Sequence, residues 1–416
     1  MTGRASGGRA RARLFGSFRL VVSAVALATL LIAHNALAST HSGHRSHKKA
    51  RSTPVALYRG ALLEDAATGR VLYQENADME WPPASMAKMM LLLVADEQVK
   101  AGRFKLDEPV RISERSASTG GSRIGVVEGQ VYPLGELMKA ALVKSANDAA
   151  VAVAEKIGGS VEACVRMMNQ RARELGMTHT EYHTVDGLPP RPLHDVDRTN
   201  ARDLATVARA LIHETDLLKW SALESCPFDG GVCMLHNTNH LVGHFEGCDG
   251  LKTGFTFESG FNLTATARRG NMRLIAVILG APSNGQRFAQ AARLLEWGFD
   301  KYTSVTVVKG GQPLPISVQL DSGETMQPVA AGDLSVVVPR SEVGGIKIDY
   351  RVPTAVSASL ASGEPVGEVV ARNGGEDVGQ IKAIRPAATA SQNTNAPASA
   401  APLTDSAAPV AYRENQ

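Results

Sequence analysis

Cysteine is scarce here: four in 416 residues, at 164, 226, 233 and 248, with no C-x-x-C pair. That excludes a four-thiolate zinc site, so no structural metal and no cofactor are expected. An excess of one charge is also missing. The chain carries 44 Lys and Arg against 41 Asp and Glu, a net +3. Residues 1–38 hold five arginines and no acid, so the remainder is slightly acidic. Such a balance gives no electrostatic footprint for nucleic acid. The apolar run after Lys88 is too short to cross a membrane and reads as a buried helix.

What is present divides the chain into segments, and its length suggests two or three domains. Residues 1–19 carry Arg4, Arg9, Arg11, Arg13 and Arg19, Leu20 to Ala33 is an apolar run, and Ala36-Leu37-Ala38 is a small-x-small site. This is the layout of a secretory signal over 1–38, with an uncleaved anchor as the alternative. No adjacent arginine pair precedes the run, which favours general secretion. Residues 39–54 are polar and basic. Their His41, His44 and His47 could bind a metal, but nothing apolar orders them, and a solvated linker is expected.

From 55 to 302 the pattern mixes strands and helices. A hairpin is expected around Ala67-Thr68-Gly69. Helices are expected over Leu134–Val143, Ala149–Ile157, Val161–Leu175, from a Thr199 or Asn200 cap to about Ile212, and over Arg287–Tyr302. Strands are expected over Leu251–Thr256, Phe261–Arg268 (strictly alternating) and Met272–Leu279. This is an α+β arrangement with a helical insertion. Residues 303–386 show short β-branched runs between Gly, Pro and Asp, which suggests a small all-β sandwich. The tail, 387–416, is rich in Ala, Ser, Pro and Asn and is expected to be disordered. It has no amphipathic period, so no membrane anchoring by the tail is expected. Export makes disulfides possible, and four cysteines allow three pairings. Cys226 and Cys233, flanking Asp229-Gly230-Gly231, are read as the pair, and Cys164 as a buried thiol.

The chemistry centres on Pro83-Ala84-Ser85-Met86-Ala87-Lys88. A helix beginning after the prolines puts Ser85 in its first turn and Lys88 on the same face. A serine hydroxyl needs a base to become a nucleophile, and a lysine serves if burial or a nearby cation lowers its pKa. Alone, S-x-x-K is weak, and Ser46 to Lys49 repeats it by chance. Two further motifs follow in order: Ser145-Ala146-Asn147 and Lys252-Thr253-Gly254. Taken alone, Ser145 and Asn147 could equally cap the helix that starts near Ala149. Asp148 reads as a helix-dipole partner, and Arg287 as a stem covering the sheet edge.

The three motifs together are recognised as a signature shared by penicillin-binding proteins and class A β-lactamases. With Ser122-Arg123, Asp186-Gly187-Leu188, Asn237-Thr238-Asn239 and Asp249 to Thr256, roughly residues 55–300 resemble the D-alanyl-D-alanine carboxypeptidases, the low-molecular-mass penicillin-binding proteins. The β-rich segment resembles that family's second domain. The resemblance implies a β-lactamase/penicillin-binding-protein-like domain followed by a small all-β domain, in the periplasmic or cell-wall space. It implies a peptidoglycan pentapeptide ending in D-Ala-D-Ala as substrate and β-lactams as inhibitors that acylate the same serine. It implies that Ser85 attacks, Lys88 takes the proton, Ser145 relays it to the leaving amine and Asn147 holds the substrate amide or Lys88. Lys252, helping to hold Lys88 neutral, and Thr253 receive the terminal carboxylate, with Gly254 and Phe255 completing the subsite. The backbone N–H groups of Ser85 and Phe255 form the oxyanion hole. Three alternatives stand beside it. A class A β-lactamase needs an E-x-x-L-N pattern between the second and third motifs, and there is none. A D,D-endopeptidase would use the same site. An inactive wall scaffold would not need the Ser85–Lys88 pair.

Overall fold

The expected hairpin around Ala67-Thr68-Gly69 is formed by β1 (Gly60–Asp65) and β2 (Val71–Glu75). The turn is closed by Asp65, whose carboxylate accepts from the Thr68 N–H at 2.9 Å and the Thr68 hydroxyl at 2.6 Å, a side chain standing in for a backbone turn. These coordinates are a computed structural model that describes residues 57–189 and 195–387. The expected leader, the basic linker and all of the tail after residue 387 lie outside the described residues.

A single 3-10 turn, Ala84–Ala87, precedes α1 (Lys88–Lys100). Ser85 therefore sits in the tighter turn leading into the α-helix, not in the α-helix itself. The residue before it, Ala84, has φ +50°. From Met89 to Ala95 α1 is buried on every side, as a helix apolar all round should be.

Around α1 the chain builds a helical lobe from β3 (Pro109–Arg111), α2 (Glu114–Ser118), β4 (Val131–Pro133), α3 (Leu134–Val143), α4 (Asn147–Gly158), α5 (Val161–Glu174), α6 (Ala201–Glu214) and α7 (Leu218–Ser221). Caps fix where helices begin. Ser160 accepts from the Ala163 N–H for α5, and Asn200, not Thr199, accepts from the Asp203 N–H for α6. Each satisfies an N–H that the helix itself leaves without an acceptor. The β3–β4 pair and α2 were not expected, because elements of three to five residues are too short to show a period.

The chain then makes the hairpin β5 (Ser225–Phe228) and β6 (Cys233–His236), returns to the main sheet as β7 (Cys248–Thr256), β8 (Gly260–Arg269) and β9 (Met272–Ala281), and ends this part with α8 (Asn284–Lys301). The hairpin corrects the cysteine expectation. Its register sets Cys226 opposite Leu235 and Phe228 opposite Cys233. Cys226 and Cys233 are thus diagonal neighbours, about 7–8 Å apart by strand geometry, beyond disulfide reach. All four cysteines are free thiols, Cys164 buried as expected.

The main sheet runs β2-β1-β9-β8-β7, antiparallel throughout. Register aligns Lys252, Thr264, Val277 and Leu62 across four strands. Leu62 and Val277 pack into the core of the helical lobe, while Ala61, Leu63, Ala276 and Ile278 pack with α8. Both faces are therefore covered. This explains why Asn262, Thr264 and Thr266, the polar side of the alternating strand, are buried: Asn262 Nδ2 donates to the Pro82 carbonyl at 2.9 Å and the Thr264 hydroxyl to Met86 Sδ at 3.5 Å. The sheet's polar row is fastened to the turn that carries Ser85.

Past α8 the chain is all β: β10 (Tyr302–Val308), β11 (Val318–Leu320), β12 (Thr325–Met326), β13 (Val329–Ala330), β14 (Leu334–Pro339), β15 (Lys347–Arg351), β16 (Ala355–Val356), β17 (Pro365–Asn373) and β18 (Glu376–Ile384). Small sheets of two, three and four strands enclose Val336, Val338, Val369 and Ala371. The strands β10 and β18 were not expected from the sequence.

Candidate active site

Ser85, Lys88, Ser145, Asn147 and Lys252 come from the 3-10 turn and start of α1, the α3–α4 junction and the sheet edge, and they form one hydrogen-bonded cluster. Lys88 is fully buried. Its Nζ lies 2.9 Å from Ser85 Oγ, 2.7 Å from Asn147 Oδ1 and 2.7 Å from the Asp186 carbonyl oxygen. Asn147 Nδ2 donates to the Gly120 carbonyl at 2.8 Å, which fixes the amide with its oxygen toward Lys88. Two of the three partners of Lys88 can only accept. A neutral amine gives them its two hydrogens and keeps its lone pair for the Ser85 hydroxyl, which then donates to it.

That neutral form is the minority at neutral pH, but burial brings it within reach. Burial lowers the Lys88 pKa to about 8, against the pull of the Asp186, Asp197 and Asp148 carboxylates. Lys252, also fully buried, is lowered well below the usual lysine value, first by burial and then by Lys88 and Arg287. Burial is the leading cause for both. Lys252 Nζ donates to Ser145 Oγ at 2.7 Å and to the Thr253 carbonyl at 2.9 Å.

Ser145 and Asn147 are not caps: α4 is preceded by Ala146 with no side-chain cap. Ser145 has φ +64°, a strained conformation for a side chain-bearing residue, worth about 1–3 kcal/mol and typical of functional positions. Thr253 is buried and donates its hydroxyl proton to Thr238 Oγ1 at 2.8 Å. Gly254 is glycine because a Cβ there would lie 2.6 Å from the Pro83 carbonyl oxygen; the sheet edge and the turn that carries Ser85 meet backbone to backbone. Phe255 stands half-exposed at the rim, its ring tilted by 31° against that of Phe261 with ring centres 4.3 Å apart.

Several participants lay outside the sequence reading. The Asp186 carbonyl is a backbone group, so no residue type announces it, although Asp186-Gly187-Leu188 was visible as a motif. Asp148 does more than face a dipole: its buried carboxylate accepts from the N–H groups of Ile124, Gly125, Val126 and Ala149. Arg287 is not a surface cover. It is buried, and its Nη1 donates to the carbonyls of Gly254 at 3.0 Å and Asn262 at 3.2 Å, bracing β7 from behind. Its pKa falls to about 10 through burial, which leaves it charged at neutral pH. Among the described residues no cluster of three His, Cys, Asp or Glu could hold a metal ion.

Residues 48–283 match the D-alanyl-D-alanine carboxypeptidase family model, and residues 302–392 match that of the C-terminal domain of penicillin-binding protein 5. The D-alanyl-D-alanine carboxypeptidase DacF of Bacillus subtilis is 32% identical over 356 residues, 84% of this chain and 90% of the relative. Penicillin-binding protein 5 of Haemophilus influenzae superposes with a TM-score of 0.71 at 26% identity, covering 79% of this chain and 97% of its own. Penicillin-binding protein D2 of Listeria monocytogenes, solved in an ampicillin-bound form, gives 0.54 at 28% identity, over 58% of this chain and 97% of that one. Two motif-bearing turns and a sheet edge that meet around two buried amines, joined to an all-β module, are what the resemblance implied: the chain belongs to the D-alanyl-D-alanine carboxypeptidase family.

Proposed function

We propose that this protein is a serine-type D-Ala-D-Ala carboxypeptidase that removes the terminal D-alanine from peptidoglycan stem pentapeptides, and that β-lactams acylate the same serine. The observation that carries the reading is the contact of the buried Lys88 amine with Ser85: its Nζ lies 2.9 Å from Ser85 Oγ while Asn147 Oδ1 and the Asp186 carbonyl accept from it, so that once deprotonated its lone pair is left for Ser85. In the forward reaction Ser85 Oγ bonds to the penultimate D-Ala carbonyl carbon as its proton passes to Lys88 Nζ. Backbone N–H groups of Ser85 and Phe255 receive the oxyanion. The C–N bond then breaks as Ser145, in contact with Lys252, passes its proton to the departing D-alanine nitrogen and takes in return the proton held by Lys88. Asn147 keeps Lys88 in place. The substrate's terminal carboxylate is met by Lys252 and the Thr253 hydroxyl, a charge-assisted contact, along the strand that Gly254 lets approach. Water adds to the acyl-enzyme and regenerates Ser85. Activity in the periplasmic or cell-wall space, reached through the 1–38 leader, belongs to the same proposal.

The test is mass spectrometry of a synthetic stem pentapeptide incubated with the full chain. Loss of one alanine is expected, and an unchanged pentapeptide contradicts the proposal. Cleavage of a cross-linked dimer with the pentapeptide left intact would make the protein an endopeptidase.

A further inference from the structure

The carbonyl that accepts from Lys88 belongs to the peptide between Asp186 and Gly187, and the other end of that peptide is also held. The Gly187 N–H donates to Thr184 Oγ1 at 2.8 Å. The Thr184 hydroxyl donates to Asp197 Oδ2 at 2.7 Å, and Asp197 Oδ1 accepts the N–H groups of His183 at 2.6 Å and Thr184 at 2.9 Å. One peptide unit is thus gripped by Lys88 through its oxygen and by the Thr184–Asp197 pair through its nitrogen.

The grip is needed because Gly187 supplies none of its own. It sits at φ +79°, and glycine accepts either sign of φ, so no side chain stops this peptide from turning over. A stiffer residue does not fit, since a Cβ at 187 would lie 1.9 Å from the Ala84 carbonyl oxygen. An inverted peptide would present the Gly187 N–H to Lys88. That N–H would compete with Ser85 for the lone pair, and one Lys88 hydrogen would lose its acceptor.

We propose that Asp197, acting through Thr184, is a positioning residue that locks the 186–187 peptide and so keeps the Lys88 lone pair on Ser85. The inference rests on Lys88 being the base, as proposed above. An ionised carboxylate can only accept, which forces the Thr184 hydroxyl to donate to Asp197 and leaves its oxygen free for Gly187. Asp197 is buried, with its carboxyl raised to about 6 by burial, so it is ionised at neutral pH. The charged groups acting on Lys88 are Asp186 and Asp197 from this stretch and Asp148 from α4, and the Lys252 amine of β7, itself depressed by burial and by Lys88, is the other titratable group beside it.

The experiment is the second-order rate constant for acylation of the full chain by a fluorescent penicillin, measured across pH. Thr184→Val keeps the shape and removes the hydroxyl. It is expected to acylate about 10- to 100-fold more slowly, as misplaced catalytic groups do. Its pH midpoint is expected to move lower, because an amine that loses a carbonyl acceptor holds its proton less tightly. Thr184→Ser is expected within about threefold of the parent, at the parental midpoint. Should Thr184→Val melt before it can be assayed, Asp197→Asn decides by the acylation rate alone, since losing its charge lowers the Lys88 midpoint by itself; its amide N–H would face Thr184 and reverse the hydroxyl, and a rate within about threefold of the parent overturns the proposal. A Thr184→Val rate within about threefold of the parent overturns the proposal, and so does equal loss in the Val and Ser variants with an unmoved midpoint. A parent that fails to label overturns both this reading and the proposed function. A parent that labels beside an unimpaired Thr184→Val overturns this one alone.

Discussion

Lys88 is an amine whose pKa burial lowers, and the proposed reaction depends on that single group. With its pKa lowered to about 8, the fraction able to accept a proton rises with pH and levels off above that value. Acylation by a β-lactam at subsaturating concentration is therefore expected to fall about tenfold per pH unit below the midpoint and to flatten above it. Stopped-flow acylation at closely spaced pH values checks this; a profile flat from about pH 6 to about pH 9 contradicts it. At this scale the sequence was legible where chemistry names the residue type. Ser85, Lys88, Ser145, Asn147 and Lys252 could be picked out because hydroxyl, amine and amide recur in ordered short motifs. The Asp186 carbonyl could not, because every residue has one. Arg287 was misread because a guanidinium buried behind a strand and one lying over an edge leave the same letter in the sequence.

Among the elements, the start of α4 does the most organising. Asp148 ties the N–H groups of residues 124–126 to that helix. The same stretch meets Asn147 twice: the Asn147 N–H donates to the Ser122 carbonyl at 2.7 Å, and its amide Nδ2 to the Gly120 carbonyl at 2.8 Å. The wall of the cleft and the partner of Lys88 are thus one assembly. Asp148→Ala leaves these buried N–H groups without an acceptor, and each buried orphan costs about 1–3 kcal/mol. The variant is expected to melt several degrees lower. Its amide hydrogens at 124–126 should exchange faster while those of β17 and β18 are unchanged. Unaltered exchange at 124–126 would show that Asp148 is not what holds this wall. Long periodic helices and the alternating β8 were readable in the sequence because period and caps repeat over many residues. The three-residue strands β3 and β4 were not, and β10 was hidden because it continues α8 with no punctuating turn.

At the level of the whole molecule, the sheet divides the labour. One face, with Lys252 in its register, turns toward Ser85 and the helical lobe. The other packs on α8, whose end meets the all-β module: Val337 joins the core on that side, and the Arg340 guanidinium donates to the carbonyls of Phe299 at 3.0 Å and Asp300 at 3.2 Å. The two-part order of the chain was legible from a change in composition near residue 303. Its junction was not, because these bonds run to backbone carbonyls. No helix among the described residues is long and apolar enough to cross a membrane. The account's central claim is that one serine of this chain forms the covalent intermediate. The most direct measurement is the intact mass of the full chain after incubation with benzylpenicillin, followed by digestion and mapping of the adduct. The account predicts a single added penicilloyl group on Ser85, absent in Ser85→Ala. An unmodified chain, or an adduct that maps to any other residue, would contradict it.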